Sequence, residues 1–267
     1  MQSVTHLLRP RTALLGGAFI LTLGGGIYTV ALYKRLRLIN AAHPIQIHTR
    51  DTASESFRNS PTIRRLVNPR GHTAWEDART VTLRIPKGCE GPSEEVLLSA
   101  FVRAFFGGLV FAPERLTLQF LRRPIVVFDG LAPNTTPQHI TSLKDMPTGL
   151  PVLHSILWNA FQVADISVSG DDALSSSTAR EHSIDIVYGS NRGEFAGCHR
   201  FTVQRIEAGV HEEDDDAETR VFVSMECITC NPMVNKPIAG DYLFKFHKLY
   251  ALMLFREAVS SIAEGLR

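Results

Sequence analysis

The chain has 267 residues, of which 44% are hydrophobic and 21% are charged, so it can bury the core of an ordinary domain. Its 28 basic and 27 acidic residues leave a net charge of +1, which gives no basis for nucleic-acid binding. The four cysteines are too few and too unevenly placed for a disulfide framework.

The N-terminal region contains an uncharged, apolar run from Thr12 to Tyr33. At about 1.5 Å per residue, a helix of this length spans roughly 33 Å, close to the thickness of bilayer hydrocarbon. A cleaved signal peptide is the alternative, but this run is longer than the usual apolar segment and no small-residue cleavage site precedes the basic cluster. The sequence therefore predicts a tail over residues 1–11 and a single transmembrane helix over residues 12–33.

The charges that flank this run indicate which side of the membrane the rest of the chain occupies. Three basic residues follow the run within four positions, and two precede it. This asymmetry favours a cytosolic C-terminal domain. Asn134 begins an Asn-Thr-Thr glycosylation sequon, which would be used only if the domain faced the lumen. We expect a single-pass membrane protein with a cytosolic domain.

After the apolar run, composition and periodicity separate a linker from a globular domain. Residues 34–78 are rich in Ser, Thr, Asn, Pro and Arg and show little periodicity, which predicts a linker. The domain is predicted over residues 79–267, beginning with the alternating strand "RTVTLRIP". A helix then begins at the natural N-cap Ser93, and a second helix is predicted over "APERLTLQFLRR".

The second half of the domain shows three strand patterns, over residues 182–189, 195–206 and 219–229. The acidic run at residues 211–218 lacks the spacing of a calcium loop, which predicts a solvated hairpin tip. One long helix follows from about Asp241. This order predicts an α+β fold in which an antiparallel sheet curls around the terminal helix.

The terminal helix carries an apolar stripe that is expected to face the concave side of the sheet. Leu249 and Met253 should be buried there, whereas His247 falls partly or wholly off the stripe. The residues of the stripe are Leu243, Phe246, Leu249, Tyr250, Met253 and Leu254.

Alternation along the last two strands predicts which side chains face inward. The odd-numbered positions of both strands are mainly apolar, so the odd face is predicted to be buried. A hairpin through the acidic tip then places His199 opposite Cys227, with both side chains facing inward. Cys198 points outward in this register, and Arg200 and Glu226 are expected to form an ion pair on the surface.

Three residues are candidates for catalysis: His199, Cys227 and Tyr188, which ends the neighbouring strand on the inner face. A cysteine beside an imidazole can be a nucleophile or a metal ligand, while Tyr188 and His199 can donate hydrogen bonds or move a proton. Simple packing of these side chains is an alternative interpretation. The Cys-x-x-Cys spacing of Cys227 and Cys230 is weak evidence for a metal, so we expect none. No cofactor is expected, because no glycine loop lies between a strand and a helix.

Residues 180–262 resemble an uncharacterised family of small proteins that is similar to the helix-grip group. The resemblance is carried by Tyr188-Gly189-Ser190, by Gly193-Glu194 and by the aromatic terminal helix. The helix-grip group includes START lipid-binding domains, polyketide cyclases and the birch-pollen allergen fold. The resemblance implies a helix-grip-like antiparallel sheet wrapped on a long C-terminal helix, with room for a hydrophobic ligand, and it implies no particular catalytic residue.

An anchored domain of this kind also resembles accessory proteins of fungal polyketide and polyketide–peptide biosynthesis. This resemblance implies a membrane-anchored protein that assists cyclisation of a hydrophobic intermediate as a cyclase- or isomerase-like enzyme, alongside other pathway enzymes. Two alternatives stay open at this point. One is a non-catalytic module that binds a lipid or another hydrophobic ligand, and the other is a membrane scaffold that recruits pathway enzymes.

Overall fold

The computed structural model describes residues 26, 28–37, 45–85, 91–131, 136–168, 181–206, 219–238 and 240–266. The chain divides into two compact units, Met1–Ala42 and His43–Arg267. In the first unit, residues 28–37 are helical.

The predicted tail and most of the predicted membrane span at 12–33 lie outside the described residues. Within the described residues, no single helix is both long enough and apolar enough to cross a membrane. The helices Glu94–Gly107 and Ala112–Leu118 meet these criteria only as a pair, and they are bent by 73°.

A mixed eight-stranded sheet forms the centre of the second unit, which confirms the α+β class. Its strand order is β1-β2-β8-β7-β6-β5-β4-β3, and only the neighbours β3 and β4 are parallel. The strands are β1 (His48–Arg50), β2 (Ala74–Arg84), β3 (His139–Ile140), β4 (Ile156–Leu157), β5 (Phe161–Ser167), β6 (Glu181–Gly189), β7 (Ala196–Ile206) and β8 (Arg220–Cys230).

Within the described part of residues 43–267, four α-helices and one π-helical turn accompany the sheet. They are α1 (Glu55–Arg58), the π-turn (Thr62–Val67), α2 (Glu94–Gly107), α3 (Ala112–Leu118) and α4 (Asp241–Gly265). The predicted N-cap of α2 is confirmed, because the Ser93 side chain accepts a hydrogen bond from the Val96 amide. Helices α2 and α4 pack against each other, and α2 also packs on β7, so both cover one face of the sheet. We call this the front face.

The strands and the register predicted for the second half of the domain are confirmed. β6, β7 and β8 begin and end within about two residues of the predicted bounds. In the ladder between β7 and β8, His199 lies directly opposite Cys227 and Val203 lies opposite Val223. The period-two alternation of the sequence is therefore enough to align these two strands.

The linker predicted over residues 34–78 is wrong for most of the stretch 45–78, which is part of the folded unit. β2 starts at Ala74 instead of residue 79, and β1 pairs along its edge. Helix α1 and the π-turn insert Phe57, Ile63 and Val67 into a core on the opposite face of the sheet, which we call the back face. These apolar residues are few and irregularly spaced, so no periodicity revealed them.

The prediction that Cys198 points outward is also wrong, because this side chain does not reach solvent. Its side chain is fully buried in the back-face core, with Phe57, Val67 and Ile228. The back face is covered by the segment that had been predicted as linker. Both faces of β7 are therefore buried, and alternation distinguishes the two faces without marking either of them as exposed.

The predicted surface ion pair between Arg200 and Glu226 is also wrong, since each of these residues has another partner. The Arg200 guanidinium binds both carboxylate oxygens of Asp185, at 2.7 and 2.8 Å, and lies over the ring of Phe57. Glu226 is buried and accepts hydrogen bonds from the amide and hydroxyl of Ser54, at 2.5 and 2.8 Å. Arg200 and Glu226 therefore both contact the segment that covers the back face, through Phe57 and Ser54.

Helix α4 is buried along its second half and open along its first. Leu249, expected to be buried, is 56% exposed, and Met253 is only partly buried. The first half of the helix borders a cavity instead of a packed core. The buried residues of α4 are Ala251, Leu254, Phe255, Glu257, Ala258, Val259, Ser260 and Ile262.

Candidate functional site

A cavity of about 610 Å³ lies on the front face of the sheet. Strands β2, β5, β6, β7 and β8 contribute one side of its lining, and helices α2, α3 and α4 contribute the other. Most of its lining is apolar, and the aromatic residues that contribute are Trp75, Phe105, Phe111, Phe161, Tyr188, Phe195, Phe244, Phe246 and Tyr250. A concave, largely aromatic surface of this size suits a hydrophobic small molecule.

The polar residues of the cavity converge on one place. Asp77 of β2, Cys227 of β8 and His199 of β7 occupy directly opposite positions on three neighbouring strands. Such cross-strand neighbours have Cβ atoms about 4.5–5.5 Å apart and point to the same side of the sheet. The two ladders therefore place a carboxylate, a thiol and an imidazole side by side on the wall of the cavity.

His247 adds a second imidazole from α4. Its Nε2 lies 3.9 Å from Cys227 Sγ and 3.8 Å from Asp77 Oδ1, so the ring sits between the thiol and the carboxylate at ion-pair distances. Asp77 is held in turn by the buried guanidinium of Arg79, which also donates to the Lys248 carbonyl at 2.7 Å. These contacts connect β2 with the helix that carries His247.

Tyr188 reaches the same thiol from β6 by lying across β7. Its hydroxyl is 3.1 Å from Cys227 Sγ and 2.7 Å from Thr229 Oγ1. The intervening residue on β7 is Gly197, and a Cβ atom there would lie only 2.4 Å from the Tyr188 ring. Only glycine leaves space for this close approach.

The charges around Cys227 lower the pKa of its thiol. Burial raises this pKa, but the imidazoles of His199 and His247 outweigh burial and lower it to about 6. The Asp77 carboxylate and the Cys227 sulfur raise the pKa of His247 to about 10, against the opposing effect of burial. At neutral pH the pair is therefore a thiolate beside an imidazolium, and the thiolate is the reactive form of cysteine.

Two further acids in the cavity keep their protons more firmly than usual. Burial, followed by the neighbouring Cys227, raises the pKa of Tyr188 well above its ordinary value, so its hydroxyl remains a hydrogen-bond donor. Burial also raises the pKa of Glu114, whose carboxylate accepts a hydrogen bond from the Tyr250 hydroxyl at 2.9 Å. A raised pKa favours the protonated form of an acid, which can donate a proton to a bound molecule.

His199 lines the cavity and is 8% exposed. Its ring centroid lies 4.8 Å from that of Tyr188 and 5.9 Å from that of Phe105. Among the described residues its buried Nδ1 atom has no hydrogen-bond partner. A buried polar atom without a hydrogen-bond partner costs stability. Such an atom calls for an explanation, and a bound ligand that supplies the missing hydrogen bond is one.

The donor atoms of Asp77, Cys227 and His247 all lie within 4.8 Å of one another and are of types that zinc accepts. The guanidinium of Arg79 occupies the Asp77 carboxylate, however, and its positive charge opposes a second cation there. The Cys-x-x-Cys pair is not available either. Cys230 lies on the back face, where its thiol donates to the Val67 carbonyl at 3.4 Å.

The structure brings together the three residues predicted from the sequence, Tyr188, His199 and Cys227. Sequence reasoning missed Asp77 and His247. Asp77 lies just outside the predicted start of the domain, although continuing the alternation of β2 would have placed it on the same face as Val81. His247 precedes Tyr250 and Leu254 by three and seven positions, which is the spacing of one helical face.

Asn134, the predicted glycosylation site, lies outside the described residues. No protein-family model matches this sequence, and no curated protein matches it. The geometry of the cavity is therefore the basis for a functional assignment.

Proposed function

We propose that the His43–Arg267 unit encloses a hydrophobic small molecule and assists its rearrangement, by cyclisation or isomerisation, without a cofactor. The observation that carries this proposal is the aromatic cavity of about 610 Å³ with one concentrated polar cluster on its wall. The apolar walls supply binding and hold one conformer of the molecule, and the polar cluster supplies proton transfer at one defined place.

The groups of the cluster have complementary roles in acid–base chemistry. Tyr188 carries a proton that it can donate in a hydrogen bond, and Cys227 is ionised beside His247. Glu114, contributed by α3, lines the same cavity, and burial raises its pKa, which favours the form that can donate a proton. A reaction that only moves protons and closes or rearranges carbon bonds needs no other group.

The connectivity of the unit supports a helix-grip assignment. Two helices, α2 and α3, lie between β2 and β3, an antiparallel series runs from β4 to β8, and the long α4 follows the last strand. Ligand cavities of such folds lie between the sheet and the terminal helix, which is where this cavity is found.

We further propose that the chain is anchored by residues 12–33 as a single-pass membrane protein, with this unit in the cytosol. The support is the length of the uncharged run and the basic residues that follow it. The full chain should then stay in the membrane fraction after carbonate extraction. Recovery of the intact chain in the soluble fraction would contradict the anchor. An Asn134-dependent, glycosidase-sensitive mass would reverse the orientation.

Ligand binding is tested with an apolar dye whose fluorescence rises in a dry environment. The full chain should bind the dye, and Ala251→Trp should abolish binding because Ala251 lines the cavity and is almost fully buried. Leu249→Ala is the matched control on the same helix, since Leu249 is largely exposed and does not line the cavity. Equal dye binding by both variants would contradict a ligand site in this cavity.

Catalysis is tested by incubating the chain with candidate hydrophobic substrates and measuring product formation. His199→Ala should abolish product formation while the dye still binds, because the lost group acts on the transition state. Unchanged turnover would remove His199 from the mechanism. Unfolding of the variant would instead show that His199 supports the core.

Carriage of a lipid or another hydrophobic ligand is the second candidate. It is favoured by Phe246, which lines the cavity although it is 63% exposed, and by the strongly exposed Tyr242 on the same helix. Exposed aromatic side chains at the entrance would allow a ligand to pass between the cavity and a membrane surface. Recovery of the same ligand unchanged after incubation would favour carriage over catalysis.

A further inference from the structure

We propose that Cys227 is a nucleophile that adds reversibly to the bound molecule, and that this molecule therefore carries a carbonyl group conjugated to a carbon–carbon double bond. This inference rests on the proposed function, since it requires that the cavity bind a hydrophobic molecule. It adds the chemical class of the ligand and the atom of the protein that bonds to it.

The position of Cys227 in the fold distinguishes it from the other described thiols. Of the three described cysteines, Cys227 lines the cavity, whereas Cys198 and Cys230 are buried in the back-face core. A molecule in the cavity can thus reach one sulfur atom only, among the described thiols.

The side chains around the Cys227 sulfur favour its ionised form. Cys227 Sγ contacts His247 Nε2, and the same nitrogen faces Asp77 Oδ1, which is anchored by Arg79. A cationic imidazole beside a thiol favours the thiolate, and the Asp77 carboxylate near the same nitrogen favours the cationic form of that imidazole. Contacts near 3.9 Å are within the range such groups show before a substrate binds.

The surroundings of Cys227 favour addition to a double bond over acyl transfer. Acyl transfer usually needs backbone N–H groups directed at the oxyanion. Here β8 is paired with β2 and with β7 along its whole length, so the N–H groups around Cys227 are engaged in the sheet. The Tyr188 hydroxyl beside the sulfur can instead stabilise the enolate oxygen that forms when a thiolate adds to a conjugated carbonyl.

The step balances without any oxidant or reductant. A lone pair of Cys227 Sγ forms a bond to the β-carbon, and the electrons of the carbon–carbon double bond move to the carbonyl oxygen as an enolate. The His247 imidazolium supplies the proton that the α-carbon gains as the enolate collapses. In the reverse direction the imidazole removes that proton and the sulfur leaves. While sulfur is attached, the former double bond is single and can rotate, which would isomerise it.

The experiment uses the full chain in detergent and three electrophiles. Chalcone is an apolar conjugated ketone, acrylamide is a small polar conjugated amide, and iodoacetamide reports thiol reactivity without requiring conjugation. Intact mass and peptide mapping locate the adduct. We expect one chalcone adduct, on Cys227, and a preference for chalcone over acrylamide that Ala251→Trp removes because the cavity is filled.

Variants separate activation from binding. Cys227→Ser should lose the adduct and keep dye binding, whereas Cys198→Ser, on the back face, should change neither. His247→Gln should slow formation of the adduct by about tenfold or more at neutral pH, because the thiol loses a cation that favours its ionised form. Dye binding and the unfolding midpoint show whether each variant is folded.

Each outcome has a distinct meaning. Failure of the folded wild-type chain to bind the dye would overturn the proposed function, and with it this inference. Dye binding without a chalcone adduct on Cys227 would overturn the nucleophile alone. Copurified zinc that blocks the adduct until a chelator removes it would also overturn it, because the sulfur would then be a metal ligand. An adduct at Cys227 that washes out on dilution would support reversible addition.

Discussion

The two faces of the central sheet contain cysteines in opposite chemical states. On the back face, burial raises the pKa of Cys198 well above its ordinary value and that of Cys230 to about 11. On the front face, Cys227 is equally buried, yet the nearby imidazoles of His199 and His247 lower its pKa to about 6. The difference shows that burial alone does not decide whether a thiol is inert, since neighbouring charges can outweigh it.

The buried carboxylates differ between the faces in the same way. Asp185 on the back face is fully engaged with Arg200, and Glu226 holds the backbone and side chain of Ser54. Asp77 on the front face shares its charge between Arg79 and His247, beside a cavity. We expect substitutions on the back face mainly to change stability, and substitutions on the front face mainly to change ligand chemistry.

The largest effect on stability is expected from Phe57→Ala. Phe57 is completely buried in the back-face core, so its truncation should lower the free energy of unfolding by about 3–5 kcal/mol. Phe246→Ala, at a largely exposed residue of the front-face entrance, should change it by about 0.5 kcal/mol or less. Urea denaturation measures both. Equal losses would show that the segment 53–67 does not cover a core.

Breaking the back-face ion pair is expected to cost about 3 kcal/mol. Arg200→Met leaves the buried Asp185 carboxylate without its partner, and an uncompensated buried charge is strongly destabilising. Replacing both residues in Asp185→Asn/Arg200→Met should restore part of the loss. If the single variant were as stable as the wild type in urea, the pair would have no structural role.

A smaller loss, of about 1–3 kcal/mol, is expected from Gly197→Ala, because the new methyl group must displace the Tyr188 ring. Displacement should also break the hydrogen bonds of Tyr188 with Cys227 and Thr229, which NMR of the tyrosine ring would detect. Gly149→Ala is the matched control, since a Cβ atom there has nothing within 4 Å. An unshifted Tyr188 signal in Gly197→Ala would contradict the close approach across β7.

A pH-dependent effect is expected from the stability that His247 contributes. Its pKa is raised from 6.5 to about 10 in the folded chain, so its contribution is complete below pH 6.5 and is lost as the pH rises through about 10. The difference in unfolding free energy between wild type and His247→Gln should therefore shrink over this window. The corresponding difference for Phe246→Ala should not follow that trend. A difference in unfolding free energy that grows with pH would contradict the raised pKa of His247.

Regular alternation made the second half of the domain predictable. Odd positions of β7 and β8 share the front face, which was enough to place His199 opposite Cys227. The same alternation could not show that the even face is also buried, because its cover comes from an irregular segment distant in sequence. Cys198 and Glu226 were therefore misjudged as outward-facing.

The candidate site was only half predictable for a related reason. Its ladder members on β6, β7 and β8 follow from local periodicity, whereas Asp77 and His247 reach it from β2 and α4 through tertiary packing. Phe246 and Tyr250, two other residues of the apolar stripe, illustrate the same limit, because both line the cavity. An apolar stripe shows which face of a helix turns inward, but not that part of this face borders a cavity.

Cys227 is ionised beside His247, whereas the back-face thiols are neutral. NMR of cysteine Cβ carbons against pH, with carbon-13 in the cysteines, measures each thiol separately once single Cys→Ser variants assign the signals. We predict that the Cys227 signal titrates near pH 6 and that the Cys230 signal does not titrate until about pH 11. A Cys227 signal that titrates above the ordinary range, together with the back-face thiols, would contradict the account.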